Sequence, residues 1–299
     1  MLFLDFEDAI ATLEAELAEF RHDGGGPEDA RLQARIDRQL ESLYGKLTPW
    51  QTVQVARHPE RPAARDIVRA ISATFIPLAG DREGADSPLV AGGIARVRDH
   101  GVVLIGLDRP RETAVPEADG AALRKTARLL RLAERFRLPV VVVASGIGAE
   151  PLALNRCIEA ALDLRVPLLV VVAGALAGPG SAFALTGDAV LMLEHACLAP
   201  VTPEDAAEAH WPSAGDPARN LATAAESLHL TAAALIRQGV IDAVIAEPCG
   251  GAHRHPRAAT QASAAAVLAR LDTVRLVDGG VLRARRRERL AGFGRSATA

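Results

Sequence analysis

Apolar residues near the start of the chain recur at helical spacing, with acidic residues between them. Over residues 7–44 this pattern is divided by the break Gly24-Gly-Gly-Pro27, which predicts a pair of helices. Their apolar faces carry Ile10, Leu13, Leu17 and Phe20 in the first helix and Leu32, Ile36, Leu40 and Leu43 in the second. We interpret residues 1–48 as a helical hairpin that extends from the main domain as a packing or dimerisation arm; a role in an active site is the alternative.

From residue 88 the pattern changes to short apolar runs that alternate with helical stretches. The runs are rich in valine and lack polar alternation, which is typical of strands buried on both faces; they cover residues 89–97, 102–107, 140–144, 168–173, 189–193 and 243–245. Helices are predicted between them, for example over residues 123–136, 152–164 and 221–237. Residues 49–299 are therefore predicted to form one α/β domain, either a doubly wound sheet or a ββα superhelix. The hairpin across Asp99-His100-Gly101 favours the superhelix, because it makes an early ββ unit.

Composition excludes several classes of function. Of the 299 residues, 49% are hydrophobic and only 3% are aromatic, and the net charge is −3, which argues against binding to nucleic acid. No apolar stretch reaches the roughly 18 residues of a membrane span, and the acidic N-terminus is unlike a signal peptide. The three cysteines are far apart and form no CxxC pair, which indicates a reducing compartment and no zinc ribbon. We expect a cytoplasmic protein without a metal or a covalently bound cofactor.

Four short motifs give the chain a family resemblance. They are Phe3-Leu-Asp-Phe-Glu7, Ala56-Arg-His-Pro-Glu-Arg-Pro62, Leu78-Ala-Gly-Asp-Arg82 and Glu247-Pro-Cys-Gly-Gly-Ala-His-Arg-His-Pro256. In this order and spacing they resemble the α subunit of the carboxyltransferase of bacterial acetyl-CoA carboxylase. A weaker match at Arg111-Glu-Thr113 agrees, and the resemblance runs nearly the full length of the chain. It implies a crotonase-like (ClpP/crotonase) ββα superhelix.

The resemblance also implies partners and a reaction. The family's α subunit assembles with a β subunit of related fold, so an α2β2 complex is expected. In the family, acetyl-CoA lies mostly on the β side and carboxybiotin, carried on a separate protein, lies on the α side. Carboxyl transfer develops negative charge on a thioester enolate and on the biotin ureido group, and backbone N–H groups that are fixed beforehand stabilise such charge. A biotin carboxyl carrier protein or an acyl carrier protein would be a further partner.

The family places these donors in a run of Gly-Glu-Gly-Gly-Ser-Gly-Gly-Ala, from which this chain departs. The matching segment is Gly174-Ala-Leu-Ala-Gly-Pro-Gly-Ser181, directly after a predicted strand. Proline removes one N–H donor, and a leucine is expected to crowd the approach and to resist positive φ. By the resemblance, the catalytic backbone belongs to Leu176, Ala177, Gly178 and Gly180. Retention of the same N–H groups and loss of the biotin site both remain open.

Two neighbouring elements are shortened as well. After Val143-Ala-Ser145 the chain passes directly to Gly146-Ile-Gly-Ala-Glu150, without the family's Asp-Thr-Pro-Gly-Ala-Tyr-Pro loop. Gly146 and Gly148 are therefore the candidate substrate-binding positions in this turn. A further gap follows Arg111-Glu-Thr113. These changes favour an altered α-side site on a retained scaffold.

His253 and Arg254 are the side chains best suited to chemistry. A histidine exchanges protons near neutral pH, and an arginine binds a carboxylate or phosphate through two parallel hydrogen bonds. We predict that His253 is catalytic and that Arg254, Gly250 and Gly251 bind substrate. The alternative is a structural turn whose histidine caps a neighbouring helix.

Three functions are open at this point. The first is biotin-dependent formation of malonyl-CoA from acetyl-CoA. The second is biotin-independent decarboxylation of a malonyl group on coenzyme A or a carrier protein, which needs only the enolate site that the family places on the β subunit. The third is a non-catalytic α chain that supports an active β partner.

Overall fold

The computed structural model describes residues 2–22, 26–72, 74–108, 116–211 and 216–294. Its strands are β1 (Thr74–Pro77), β2 (Val90–Val97), β3 (His100–Leu107), β4 (Val140–Ala144), β5 (Leu168–Val172), β6 (Ala175–Ala177), β7 (Ala189–Leu193), β8 (Cys197–Ala199) and β9 (Ala243–Ile245). Seven of them form one sheet in the order β1-β2-β3-β4-β5-β7-β9, and β6 pairs with β8 in a second, small sheet.

The large sheet is antiparallel at one side and parallel over the rest. β1, β2 and β3 pair antiparallel, and the β2–β3 hairpin is present as predicted. From β3 through β4, β5 and β7 to β9, all pairings are parallel. Every residue of β4, β5 and β7 is buried, which explains their valine-rich runs without alternation. Parallel strands bring their C-terminal ends, and the loops that follow them, to the same edge of the sheet.

Helices cover both faces of the sheet. They are α1 (Asp8–His22), α2 (Pro27–Tyr44), α3 (Pro49–Ala56), α4 (Ala64–Ile71), α5 (Pro116–Phe136), α6 (Pro151–Asp163), α7 (Ser181–Ala184), α8 (Pro203–His210), α9 (Pro217–Ser227), α10 (Ala232–Arg237), α11 (Pro256–Val274) and α12 (Gly279–Gly292). α4 packs against Gly106 of β3, and α5 packs against Gly92 of β2 on the opposite face. α11 lies beside α4, and α6 lies beside α5. Among the residues described above, no helix is long and apolar enough to cross a membrane.

The single helix predicted over residues 221–237 is wrong, because two helices lie there. α9 and α10 are separated by residues 228–231. His229 has a φ of 49°, which a helix does not accommodate, and the Thr231 hydroxyl accepts the N–H of Ala234 as the cap of α10. Leu230 between them is 1% exposed and packs with α3. The sequence pattern also does not predict β1, β6 and β8, which have only three or four residues each.

The predicted helical hairpin is confirmed. α1 and α2 enclose a small core separate from the main one, formed by Ile10, Leu13, Leu17, Ile36, Leu40, Tyr44 and Val55. Phe20, which the pattern places on the packed face, is 45% exposed. Val55 belongs to α3, so the hairpin core includes a residue beyond position 48, and the domain boundary at that position stays a prediction.

Candidate active site

The loops that follow the parallel strands meet at one edge of the sheet, which we call the loop edge. Residues 145–150 follow β4, residues 173–180 follow β5 and residues 246–255 follow β9. In parallel α/β sheets, this is the edge where ligands bind. Both backbone segments in which the sequence predicts chemistry, residues 146–148 and 174–181, therefore lie at the expected edge.

Within the segment of residues 174–181, residues 175–177 form the strand β6 in spite of the substitutions. β6 pairs in parallel with β8, and Leu176 lies opposite Leu198. The Leu176 side chain is 1% exposed and belongs to the main core, so it points into the protein. It is not among the residues with positive φ. The expectation that Leu176 crowds the approach and resists its backbone conformation is therefore wrong.

The backbone N–H groups of Ala177 and Gly180 are candidate donors in this segment. The N–H of Gly178 donates to the carbonyl of Ala199 at 3.1 Å, and Pro179 has no N–H. Because N–H groups point to alternate sides along a strand, the N–H of Ala177 points away from β8. The N–H of Gly180 donates no hydrogen bond within the described part of the chain. Gly178 has a φ of 97°, with open space where a side chain would begin.

Residues 145–148 pack directly against this segment. A Cβ placed on Gly180 would lie 2.8 Å from the Cβ of Ile147, and one on Gly174 would lie 2.9 Å from the carbonyl oxygen of Ser145. Only glycine permits so close an approach. The Ser145 Oγ is buried and makes no hydrogen bond to any described residue. The two segments thus form one wall, whose exposed point is Pro179.

Asp119, at the start of α5, lies beside this wall and is not predicted by the sequence reasoning. A Cβ on Gly148 would lie 2.8 Å from the Cβ of Asp119, and neighbouring Gly146 is buried. Burial raises the pKa of Asp119, and its Oδ1 has no hydrogen-bond partner among the described residues. In the sequence it cannot be distinguished from an ordinary acidic residue at a helix start.

A buried ion pair connects the loops of this edge. The Arg61 guanidinium donates to the Glu247 carboxylate at 2.6 and 2.9 Å and to the carbonyl of Ala173 at 3.2 Å. The same carboxylate accepts the N–H groups of His195 and Ala252, at 3.1 and 2.7 Å. Burial opposes ionisation of Glu247, but Arg61 outweighs it, and the pKa lies below its ordinary value. This ion pair therefore connects the loops after β5, β7 and β9.

The turn at residues 250–254 lies beneath the helical hairpin. Gly250 and Gly251 have φ values of 81° and 87°, which only glycine adopts without strain. The Arg254 guanidinium donates to Glu7 at 2.9 Å and to Glu14 at 2.6 Å, and its side chain is 4% exposed. Its donors therefore serve acidic residues of the hairpin.

His253 is enclosed by other rings. It is 3% exposed, it stacks on His58 with ring centroids 4.1 Å apart, and its Nε2 lies 3.4 Å from the Tyr44 hydroxyl. Burial, reinforced by His58, lowers the pKa of His253 to about 3, and burial also lowers the pKa of His195. The Nδ1 of His253 has no partner among the described residues, so it caps no described helix. This environment favours the structural turn without the cap.

The structure thus divides the predicted site residues into two groups. One group lies at the loop edge and comprises Gly146, Gly148, Leu176, Ala177, Gly178 and Gly180; the other lies beneath the hairpin and comprises Gly250, Gly251, His253 and Arg254. Their roles in catalysis and binding stay predictions. The motif Arg111-Glu-Thr113 lies outside the described residues. Arg61 and Glu247 enter the sequence reasoning only as parts of family motifs, and their opposite charges within those motifs are the signal that could have paired them.

Solved structures of carboxyltransferases share this fold. The hexameric transcarboxylase 12S matches 81% of this chain and 46% of its own with a TM-score of 0.54 at 14% identity. A Pseudomonas malonate decarboxylase hetero-tetramer in complex with malonate matches 79% of this chain and 91% of its own, with a TM-score of 0.53 at 17% identity. The sheet and its helices are therefore those of the crotonase fold.

Sequence comparison then gives the family. The model of the family described as acetyl co-enzyme A carboxylase carboxyltransferase-like matches residues 3–294. The carboxyl transferase subunit alpha of acetyl-coenzyme A carboxylase from Paramagnetospirillum magneticum is 41% identical over 99% of both chains. The protein of the same name from Rhodospirillum centenum is 42% identical over 98% of both. The chain belongs to the acetyl-CoA carboxylase carboxyltransferase α-subunit family, as its motifs indicate.

Proposed function

We propose that this chain, with a β-type subunit, transfers a carboxyl group from carboxybiotin on a carrier protein to the α carbon of acetyl-CoA. The observation that carries the proposal is the backbone of residues 174–180. Its bulky substitution, Leu176, is accommodated in the core, and the N–H groups of Ala177 and Gly180 make no hydrogen bond to any described residue. The α subunits of acetyl-coenzyme A carboxylase to which it is 41% and 42% identical support the same reaction.

The contribution of this chain to the reaction is electrostatic. Carboxybiotin, when bound, supplies the carboxyl group, and negative charge develops on oxygen as that group is transferred. The N–H groups of Ala177 and Gly180 donate to such an oxygen, and one fixed donor of this kind contributes about 10²–10³-fold in rate. Arg61 positions the segment through its bond to the carbonyl of Ala173, directly before Gly174.

The β-type partner supplies the other wall of the site. Relatives that carry the name subunit alpha, and a fold neighbour that is a hetero-tetramer, support an α2β2 assembly. In that assembly the loop edge faces the partner, and a biotin carboxyl carrier protein delivers the carboxyl group.

The test is an assay of the purified complex with its β partner. Malonyl-CoA should form from acetyl-CoA and the carboxylated carrier, and omission of the carboxylated carrier should abolish its formation. Absence of malonyl-CoA from a fully assembled complex would refute the proposal.

Biotin-independent decarboxylation of a malonyl thioester is the second candidate. It is favoured by the reduced number of donors, since Pro179 has no N–H and the N–H of Gly178 is bonded to Ala199. Release of CO₂ from malonyl-CoA or malonyl carrier protein without biotin, together with no carboxylation of acetyl-CoA, would select it. Neither turnover would leave a non-catalytic α chain.

A further inference from the structure

A cavity rich in arginine lies at the opposite edge of the sheet from the candidate active site. Its volume is about 520 Å³. Asp188, just before β7, and Asp242, just before β9, form one side, and α11 and α12 form the other. Four arginines line it, namely Arg270, Arg285, Arg286 and Arg289. Because the strands begin here, a ligand in this cavity would not touch the reacting atoms.

Two of these arginines are already neutralised by the two aspartates. Arg286 donates to both carboxylate oxygens of Asp188, at 2.6 and 3.1 Å. Arg289 donates to Asp242 at 2.7 Å and to the carbonyl of Val240 at 2.7 Å. The aspartates also accept backbone N–H groups of the strands that begin beside them. Both carboxylates of the cavity wall are therefore already paired with arginines of the same wall.

The other two arginines have unused donors. Arg270 makes no hydrogen bond within the described ranges, its nearest carboxylate is that of Asp242 at 3.9 Å, and its Nε is buried without a partner. The Arg285 side chain is exposed, and no described residue bonds to it. The Arg270 side chain is 40% exposed, so its terminal N–H groups are open to an acceptor supplied by a ligand. The cavity wall thus carries two more positive than negative charges.

We propose that this cavity binds a phosphate-bearing small molecule. A planar guanidinium group can donate two parallel hydrogen bonds to phosphate oxygens. Two guanidinium groups with free donors match the charge of a phosphate dianion. The apolar side chains of Val274, Val277 and Leu282 line the same cavity and provide a surface for an organic part. The volume lies within the range of pockets for ligands of nucleotide size.

Isothermal titration calorimetry of the full chain tests this at about 0.15 M salt, where exposed charges are screened beyond about 8 Å. The probes are inorganic pyrophosphate and ADP. Saturable binding of one equivalent is expected, and Arg270→Ala and Arg285→Ala should each raise Kd at least about tenfold, because each removes a charge-assisted bond. Arg257→Ala, an exposed arginine of α11 outside the cavity, is the matched control and should leave Kd unchanged.

The two probes distinguish a site that recognises phosphate alone from one that also uses the apolar wall. Equal affinity for both indicates phosphate recognition alone, and tighter binding of ADP indicates that the apolar wall is used; both support the site. No binding of either probe, or equal loss in the Arg257 control, overturns it. If Arg285→Ala instead weakens only the binding of an acidic protein partner, the surface is a protein interface and the proposal is wrong. The Arg285 side chain is exposed and makes no hydrogen bond or ion pair with a described residue, so a thermal melt of that variant should match the wild type.

Discussion

The loop at residues 174–180 and the turn at residues 250–254 both carry glycines of the family motifs, but they differ in how their side chains and backbone groups are bonded. In the first, the Leu176 side chain points into the core, and the backbone N–H groups of Ala177 and Gly180 make no hydrogen bond to any described residue. In the second, the side chains of His253 and Arg254 are buried and bonded within the chain. We therefore propose that the first segment acts through its backbone, whereas the buried side chains of the second hold the fold together.

This difference explains how the clearest motif of the sequence, where we also predicted chemistry, can instead hold the fold together. A buried ion pair requires particular side chains, because an arginine or glutamate without its partner leaves a buried charge. A backbone donor requires only a particular path of the chain, so Leu176 can replace a glycine when the core accepts it.

The largest expected effect is a loss of stability when the buried ion pair of Arg61 and Glu247 is broken. Glu247→Gln should lower the free energy of unfolding by about 3–5 kcal/mol, since it leaves the buried Arg61 without a counter-charge. Urea unfolding of the isolated chain measures it. Asp163→Asn is the control, because the Asp163 side chain is 65% exposed in its pairs with Arg283 and Arg287 and should contribute less than about 1 kcal/mol. Similar losses in both variants would contradict the role given to Glu247.

The next prediction tests whether the Leu176 side chain contributes to stability but not to the activity of the complex. Leu176→Ala should destabilise the chain by about 3 kcal/mol, within the range for a buried leucine, while kcat of the complex stays within about twofold. Leu152→Ala, at a leucine that is 60% exposed, should change stability by less than about 0.5 kcal/mol. A several-fold rise in carboxylation by Leu176→Ala without loss of stability would show that the leucine does obstruct the site.

A smaller effect depends on pH. Because His253 has a pKa of about 3 in the fold and an ordinary value near 6.5 when unfolded, the unfolded state binds more protons between these values. The contribution of His253 to the free energy of unfolding is therefore complete above pH 6.5. It falls as pH is lowered, by up to about 1.4 kcal/mol per pH unit. His195, also lowered, adds to the slope.

His253→Gln should make that slope shallower between pH 6.5 and 5, before the carboxylates begin to protonate. Urea unfolding at several pH values measures it, and His229→Gln, outside the buried cluster, is the control. An unchanged slope in His253→Gln would mean that the histidine is not held neutral in the fold.

Much of the fold can be predicted from the sequence. The buried strands are visible as valine-rich runs, and the hairpin is visible through Ile10, Leu13 and Leu17. The break between α9 and α10 is not, because His229 in the left-handed region and the Thr231 cap are local features inside an apolar helical pattern. At the site, the sequence locates residues 174–180 but not the direction of the Leu176 side chain, which depends on the pairing of β6 with β8. Asp119 becomes a candidate only when packing brings α5 beside Gly148.

The most direct test compares one residue from each region in the same assay. Gly180→Ala places a methyl group 2.8 Å from the Ile147 side chain and 2.9 Å from its carbonyl oxygen, so the backbone must shift. We expect kcat for carboxyl transfer by the α/β complex to fall at least about tenfold, since small misplacements of donors are costly. His253→Gln should lower stability and leave kcat at pH 7.5 within about twofold. The reverse result, a loss of kcat with His253→Gln and none with Gly180→Ala, would contradict the account.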